Sequence, residues 1–340
     1  MKKSLDILLT SYRQPEYLDE CLRSVAAQTS QDFNLYIVDD DPTHSVQHVI
    51  DHWLAKGMQL TFIQNDSNIG GLRSLDKLYH CSSAEFFMWL HHDDVLAPDF
   101  IEQLLQRGLR QHPQCSFGYG LYRRKRAQGS SNDTGVYRPD FQTGIHEVLY
   151  QLCITSWIIP SFSIIRRKAF DEVGGFARHL TRVSIQEGRP RAGYIDHYMF
   201  ARLATRGPAY VHNQALGDYR VHSENSSALV VQEMRRTAES IRTLDYLFDD
   251  HNLFPPVARY LSKANVMGRM LTNMGVISAV LQMLQSNELG PEIRPLTKEL
   301  LQATSEALSS LIYDEEQLGR PLVTPVQHLQ ELQKLISTIN

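Results

Sequence analysis

Residues 6–44 read DILLTSYRQPEYLDECLRSVAAQTSQDFNLYIVDDDPTH, and this stretch decides the fold. Two apolar runs, Leu5–Leu9 at its start and Asn34–Asp39 near its end, each predict a buried strand. Between them, Tyr17–Gln28 carries apolar residues at helical spacing, which predicts a helix. A strand, a helix and a second strand in this order predict two parallel strands joined by a helical crossover.

The same alternation continues outward from this stretch. Further strands are predicted at Leu60–Gln64, Phe86–Leu90 and Phe162–Arg166, helices at Ser45–Lys56, Gly71–Cys81 and near Asp196–Arg206, and a turn at Gly174–Gly175. Residues 123–140 are basic and then rich in Gly, Ser and Asn, which predicts a loop. The sequence therefore predicts an α/β protein with a mostly parallel sheet flanked by helices.

The character of the sequence changes near residue 230. Long helical patterns follow, without strand signals, at 232–248, 257–285, 295–316 and 325–339. We predict a catalytic domain over residues 1–229 and a helical C-terminal region over residues 230–340. The apolar faces of these helices favour assembly into a homo-oligomer or docking of an acceptor, and packing against the first domain is the open alternative.

The composition excludes several classes of protein. With 34 basic and 38 acidic residues, the chain has a formal net charge of −4, which gives it no general attraction for nucleic acid. Its four cysteines, Cys21, Cys81, Cys115 and Cys153, form no C-x-x-C pair, so neither a zinc site nor a disulfide framework is indicated. No apolar run approaches the ~18–20 residues of a membrane span. We expect a cytoplasmic protein, with attachment to the inner face of the cell membrane left open.

Acidic residues follow two of the predicted strands. LHHDD, residues 90–94, places Asp93 and Asp94 at a strand end, where adjacent carboxylates can hold Mn²⁺ or Mg²⁺ together with phosphate oxygens. Capping of a helix that begins near Pro98 is the alternative for this pair. VDDDPTH, residues 38–44, places three acids after another strand, and an ordinary acidic turn is the alternative there. In parallel sheets ligands bind at this edge, so both motifs predict a site.

Residues 6–44 resemble the opening of the inverting family 2 glycosyltransferases, which have the GT-A fold, a Rossmann-like α/β arrangement. The resemblance continues through NIGGLRSLDKL and FFMWLHHDDVLAPDF, resumes at EVGGFARHL, and includes YIDHYMFARLATRGPAYVHNQALGDYRVHSENSS. It spans Asp6–Ser227. The sequence departs from the family pattern at two positions. His91 stands where many members carry the first Asp of the DXD motif, and Ile195 replaces the Glu of a Glu-Asp pair.

The resemblance implies roles for individual residues. Those expected to bind the donor nucleotide are Thr10, Tyr12, Asp40, Arg73 and Asp93, with Asp40 at the N–H edge of the base. Asp94 and His222 are expected to hold the metal, and Asp196 to be the catalytic base. The alternatives are a core histidine for His222, a solvated helix residue for Arg73 and a helix cap for Asp196. Arg202 is expected to be a structural ion-pair partner.

The resemblance also implies the reaction. We expect a metal-dependent transfer, with inversion, from a UDP-, dTDP- or GDP-sugar to a hydroxyl of a saccharide or lipid-linked acceptor in bacterial polysaccharide or glycoconjugate synthesis. A noncatalytic nucleotide-sugar scaffold or sensor is the alternative. A sugar nucleotidylyltransferase is disfavoured because the first turn, TSYRQPEY, contains no glycine. The basic cluster Arg123–Arg126 suits the phosphate of a lipid-linked acceptor, or is simply solvated.

Overall fold

The structure is a computed structural model that describes residues 3–126, 141–154, 158–176, 185–186, 189–190 and 195–222, together with Gln330. The chain divides into two compact units, Met1–Leu149 with Trp157–His222, and Tyr150–Ser156 with Ser223–Asn340. The predicted boundary at 229/230 and the helical patterns after it lie outside the described residues, and they stay predictions. Among the described residues, no helix is long and apolar enough to cross a membrane.

The first half of the first unit alternates strand and helix as predicted. Its elements are β1 (Leu5–Ser11), α1 (Pro15–Ala26), β2 (Phe33–Asp39), α2 (Gln47–Ala55), β3 (Thr61–Gln64), α3 (Gly71–Cys81) and β4 (Phe86–His91). Strands β3, β2, β1 and β4 are neighbours in this order and all parallel. The carboxyl ends of these four strands therefore meet at one edge of the sheet, as the sequence indicated.

The second half adds antiparallel neighbours and makes the sheet mixed. Its elements are β5 (Val95–Leu96), a π-helix (Glu102–Leu109), β6 (Phe117–Arg126), β7 (Gly144–His146), a 3₁₀ turn (Pro160–Phe162), β8 (Ser163–Arg166), α5 (Arg167–Glu172), β9 (Ile185–Gln186), β10 (Arg189–Pro190), α6 (Ile195–Leu203) and β11 (Ala209–Val221). Helix α4 (Leu149–Ile154), apart from its first residue, belongs to the second unit. Among the described strands the main sheet runs β3-β2-β1-β4-β8-β6-β11-β5, with β7 also paired to β11. Strands β9 and β10 pair separately.

Strand β8 is the element that shapes the middle of the sheet. It pairs with only the first two residues of β4, Phe86 and Phe87. The 3₁₀ turn before β8 packs against the rest of β4, where the hydroxyl of Ser161 accepts a hydrogen bond of 3.1 Å from the backbone N–H of His91. Ser161 is fully buried. The carboxyl end of β4 is therefore fixed by a side chain of this turn.

One predicted loop is partly wrong. Arg123–Arg126 belong to β6, where they pair in parallel register with Asp218–Val221 of β11. Their charges do not prevent strand formation because Arg123 Nε lies 2.6 Å from Asp218 Oδ1 and Lys125 Nζ lies 2.7 Å from Glu20 Oε1. The remainder of the predicted loop lies outside the described residues.

Candidate active site

The turn after β4 brings three ligand-type side chains together. One ligand atom each of His91, Asp93 and Asp94 lies within 4.8 Å of the others. The backbone N–H of Asp94 donates to the carbonyl of His91 over 3.2 Å, which closes the turn. Capping is excluded for this pair because β5 follows the turn directly and the helix beyond it begins only at Phe100. The two carboxylates therefore belong to the edge of the sheet where ligands bind in α/β proteins.

Asp94 is the innermost carboxylate of the turn. It is fully buried, and its Oδ1 accepts a hydrogen bond of 3.1 Å from the backbone N–H of Arg220 in β11. Its Oδ2 has no hydrogen-bond partner and lies 3.7 Å from Nδ1 of His91. Burial raises the pKa of Asp94 above its ordinary value. Burying a carboxylate oxygen without a partner costs free energy of folding unless a cation binds the oxygen or a donor hydrogen-bonds to it.

Asp93 is more exposed and faces β11. Its Oδ2 lies 3.1 Å from Nε2 of His222, and the ring of His222 packs 5.1 Å from the ring of Tyr17. Burial alone would raise the pKa of Asp93, but the charges of His91 and His92 and the hydrogen bond from His222 lower it. The side chain of Asp93 is 18% exposed and that of His222 is 7% exposed. Oδ2 of Asp93 and Nε2 of His222 thus lie next to each other at the edge of the sheet.

Arg220 joins these residues to α1. Its side chain is 7% exposed; Nε donates to the carbonyl of Asp93 over 3.0 Å, and Nη2 binds the carboxylate of Glu20. The guanidinium also lies 4.5 Å above the ring of Tyr17. Because Arg220 also holds Asp94 through its backbone N–H, one residue fixes the turn from two sides. The sequence pattern indicated His222 in this segment but not Arg220.

Asp196 lies in the first turn of α6, as predicted. Its Oδ1 accepts a hydrogen bond of 2.8 Å from the backbone N–H of His197. Burial alone would lower the pKa of His91, but the carboxylates of Asp94, Asp93 and Asp196 raise it above its ordinary value. The assignment of Asp196 as a base stays a prediction.

Asp40 organises the loop between β3 and α3. Its Oδ1 accepts hydrogen bonds from Asn65 Nδ2 at 3.0 Å and from the backbone N–H of Ile69 at 2.9 Å, and its Oδ2 accepts one from the N–H of Gly70 at 2.7 Å. These contacts hold the loop against the end of β2. The predicted contact of Asp40 with a nucleobase stays a prediction.

The other predicted donor residues lie at the same edge. Thr10 is the next-to-last residue of β1 and stands in register with both Val38 and His91. Tyr12 follows this strand and is 37% exposed, with the guanidinium of Arg13 stacked 4.9 Å from its ring. Arg73 is exposed on the first turns of α3. Their roles in binding a nucleotide stay predictions.

Asp39 is a titratable residue that the sequence did not distinguish from its neighbours. It is fully buried at the end of β2, and its Oδ2 has no hydrogen-bond partner. Burial raises the pKa of Asp39 to about 6. Its position as the last residue of an apolar strand could have indicated that its side chain points into the protein, whereas that of Asp40 turns toward the loop.

Comparison with known proteins places this geometry in a class. Residues 6–174 match the family described as Glycosyl transferase family 2. In solved structures, the chain resembles residues 1–349 of S. aureus TarS in complex with UDP-GlcNAc, with a TM-score of 0.61, 13% identity and coverage of 90% of this chain and 80% of that one. It also resembles the mannosyltransferase PcManGT from Pyrobaculum calidifontis in complex with GDP-Man and Mn²⁺, with a TM-score of 0.56, 14% identity and coverage of 91% and 88%. The fold is thus the GT-A fold that the sequence predicted.

Relatives in sequence agree with this class. An uncharacterized glycosyltransferase of Methanocaldococcus jannaschii is 29% identical over 104 residues, which are 30% of this chain and 36% of that protein. An uncharacterized glycosyltransferase of Haemophilus influenzae is 20% identical over 246 residues, 70% of this chain and 72% of the relative. The teichoic acid poly(glycerol phosphate) polymerase of Staphylococcus epidermidis is 33% identical over 104 residues, 30% of this chain but only 14% of the polymerase. Through residues 6–174 the chain belongs to glycosyltransferase family 2.

Proposed function

We propose that this chain transfers a sugar, with inversion, from a nucleotide diphosphate sugar to an acceptor hydroxyl in the synthesis of a polysaccharide or glycoconjugate. The observation that carries the proposal is the cluster of His91, Asp93 and Asp94 in the turn after β4, with Nε2 of His222 3.1 Å from Asp93. Family membership supports it, and so do relatives named as a teichoic acid poly(glycerol phosphate) polymerase and a putative teichuronic acid biosynthesis glycosyltransferase.

A divalent cation, Mn²⁺ or Mg²⁺, fits the residues present. Asp93 and His222 offer an oxygen and a nitrogen 3.1 Å apart, and Asp94 offers a buried oxygen without a hydrogen-bond partner. Carboxylates suit both ions, and an imidazole suits the softer of the two, so we favour Mn²⁺. When bound, the ion would offset the negative charge of the departing diphosphate. The Mn²⁺ in the PcManGT complex supports this choice.

The donor would bind along the ends of β1, β2 and β4. Thr10 and Tyr12 would flank the base, and Asp40 would set the position of the loop before α3. Arg73, on the first turn of α3, would contact the diphosphate. The related folds carry UDP-GlcNAc in one case and GDP-Man in another, so the fold alone does not choose between uracil and guanine. Asp93 would meet the diphosphate end of the donor.

Asp196 would act as the base in a single displacement. Its carboxylate takes the proton of the acceptor hydroxyl while that oxygen forms a bond to the anomeric carbon. The bond from the anomeric carbon to the diphosphate oxygen breaks on the opposite face, so the configuration inverts and the nucleotide diphosphate leaves with the electron pair. No covalent enzyme intermediate is needed. The acceptor would be a saccharide or a lipid-linked saccharide, which is compatible with action in the cytoplasm at the inner face of the membrane.

The test separates a transferase from a nucleotide-sugar scaffold. Release of nucleotide diphosphate is measured from UDP-, dTDP- and GDP-sugars, with and without Mn²⁺, for the wild type and Asp196→Asn. Asn keeps the shape and the hydrogen bond to His197 but is not a base, so we expect donor affinity to hold while turnover falls ~10²–10⁴-fold. Asp51→Asn, on the exposed face of α2, is the matched control and should keep full turnover. Donor binding without release by the wild type would identify a scaffold instead.

A further inference from the structure

The basic cluster of β6 is divided between the two faces of the sheet. Side chains alternate along a strand, so Arg123 and Lys125 share one face and Arg124 lies on the other. Arg123 pairs with Asp218, and Lys125 pairs with Glu20. Arg124 is exposed, and within the described parts of the chain no carboxylate forms an ion pair with it. Of the three side chains of the cluster that the structure describes, Arg124 is therefore the one that faces solvent without a carboxylate partner.

Aromatic side chains surround Arg124 on its face. Tyr122, two residues earlier, stacks on Phe162 with ring centroids 5.3 Å apart and an angle of 15° between the planes. Tyr122 also meets the edge of Tyr219 at 5.7 Å, and Tyr219 is the register partner of Arg124 in β11. Tyr122 is buried, whereas Tyr219 is partly exposed. The result is a packed aromatic base with a tyrosine and a guanidinium at its surface.

This face leads to the candidate catalytic residues. Burial raises the pKa of Tyr122, and the charge of Arg124 and a side-chain hydrogen bond with it oppose the rise. Tyr219 directly precedes Arg220, whose backbone N–H donates to Asp94 Oδ1 over 3.1 Å. Phe162 directly follows Ser161, whose hydroxyl lies 3.2 Å from Nδ1 of His91. The surface formed by Arg124 and Tyr219 is therefore joined through Ser161 and Arg220 to the turn after β4, which carries the candidate metal ligands.

We propose that Arg124 and Tyr219 form an acceptor subsite for a saccharide or polyol that carries a phosphate group. This inference rests on the proposed transferase function and names the class of acceptor. A guanidinium presents paired N–H donors that match two phosphate oxygens, and an uncharged sugar has no group that requires it. A tyrosine ring provides the flat apolar surface on which a sugar or polyol packs, with a hydroxyl for hydrogen bonding.

The experiment compares the affinity of the full chain, saturated with UDP and Mn²⁺, for a phosphorylated sugar and for the same sugar without phosphate. Binding of N-acetylglucosamine 6-phosphate and of N-acetylglucosamine is measured by saturation-transfer NMR titration, with inorganic phosphate as a third probe. A second arm measures sedimentation with vesicles of phosphatidylcholine alone or with phosphatidylglycerol. Tighter binding of the phosphorylated sugar supports a phosphate on the saccharide, and binding to anionic vesicles alone supports a phosphate in a lipid headgroup.

Two variants decide whether Arg124 is responsible. Arg124→Gln should weaken binding of the phosphorylated probe or anionic vesicle at least about tenfold, the loss expected for a charge-assisted hydrogen bond. Arg123→Gln removes the same charge from the opposite face and should change binding less than about twofold. Equal losses in the two variants would mean that general charge attracts the probe, and the proposal would be overturned.

The failure of each proposal is visible separately. The subsite proposal is overturned if the wild type binds phosphorylated and neutral probes equally and does not bind anionic vesicles, whatever its turnover. Nucleotide release from donor sugars reports the transferase function by itself. A chain that shows the Arg124-dependent phosphate preference but releases no nucleotide supports the subsite and contradicts the transferase.

Discussion

Replacing Arg220 with Gln tests whether its side chain, which joins the turn after β4 to α1, holds the candidate metal ligands in place. The substitution removes the guanidinium bonds to Glu20 and to the carbonyl of Asp93, and it removes the contact over Tyr17. It leaves the backbone N–H that binds Asp94 in place. The variant therefore alters the support of the turn without changing any predicted metal ligand.

The magnitude follows from the burial of the two charges. Breaking a fully buried ion pair costs about 3–5 kcal/mol because the remaining charge is left without a partner. Here the Arg220 side chain is 7% exposed, but that of Glu20 is 37% exposed and keeps Lys125 at 2.7 Å, so the penalty on the carboxylate is reduced. With the lost cation–π contact, we expect the free energy of unfolding to fall by about 2–3 kcal/mol. Loss of such supporting contacts typically lowers metal affinity about 10–100-fold.

Two measurements check this prediction. Urea denaturation gives the free energy of unfolding, and electron paramagnetic resonance titration of Mn²⁺ in the presence of UDP gives the metal affinity. Lys125→Gln is the matched control, because it removes the other, exposed partner of Glu20 and should cost at most about 1 kcal/mol with unchanged Mn²⁺ affinity. Wild-type Mn²⁺ affinity in Arg220→Gln would refute the view that this side chain positions Asp93 for metal binding.

Two further predictions concern stability. Because burial raises the folded-state pKa of Asp39 from 3.8 to about 6, ionised Asp39 destabilises the fold above pH 6, and the penalty disappears as the pH falls toward 4. Asp39→Asn should therefore stabilise the chain at pH 8 by up to about 3 kcal/mol and not at pH 4, as measured by urea denaturation across this range; a gain independent of pH would contradict the assignment. Gly217→Ala should cost about 1–3 kcal/mol, since a Cβ there would lie 2.4 Å from both Phe162 Cε1 and the carbonyl oxygen of Val95. Gly71→Ala, where no atom lies within 4 Å of the added Cβ, is its control, and equal thermal midpoints for the two variants would contradict the packing argument.

The sequence predicted the parallel half of the sheet because its signals are local. Strands β1 and β4 are apolar runs whose residues are buried on both faces, and α1 and α3 bury one stripe of regularly spaced side chains. The position of the acids also followed from local order, since an acid directly after a buried parallel strand must lie at the carboxyl edge of the sheet. That reasoning placed Asp93 and Asp94 correctly at this edge.

Contacts between distant segments were beyond this reasoning. Strand β11 is 13 residues long although it contains Asn213, Gln214 and Asp218, because β6, β7 and β5 all pair with it. Its pairing with β6 shifts register twice. Likewise, the sequence around Arg123 predicts a loop, because its ion-pair partner, Asp218, lies 95 positions away in the chain. The bond between Ser161 and His91 has no sequence signal, since a single serine before a strand is unremarkable in composition.

Asp40 illustrates a role that sequence and structure describe differently. The family resemblance gives it a base contact, while the structure shows three N–H donors already converging on its carboxylate from Asn65, Ile69 and Gly70. A carboxylate has about four lone-pair sites, so one further hydrogen bond can be accepted. Both roles are therefore compatible, and loss of donor binding on mutation would not separate a direct contact from displacement of the loop.

The two carboxylates of LHHDD perform different tasks even though they are adjacent in the chain. Asp94 is fully buried and receives the backbone N–H of Arg220, so it ties the turn after β4 to β11. Asp93 is partly exposed and faces His222, so it presents the accessible oxygen. Removing Asp94 would break the bond between the turn and the end of β11, next to His222, so metal binding would weaken whether or not Asp94 itself touches the ion. The predicted assignment of Asp94 as a ligand therefore requires a direct probe of Mn²⁺ coordination, because a loss of activity fits both its ligand role and its structural role.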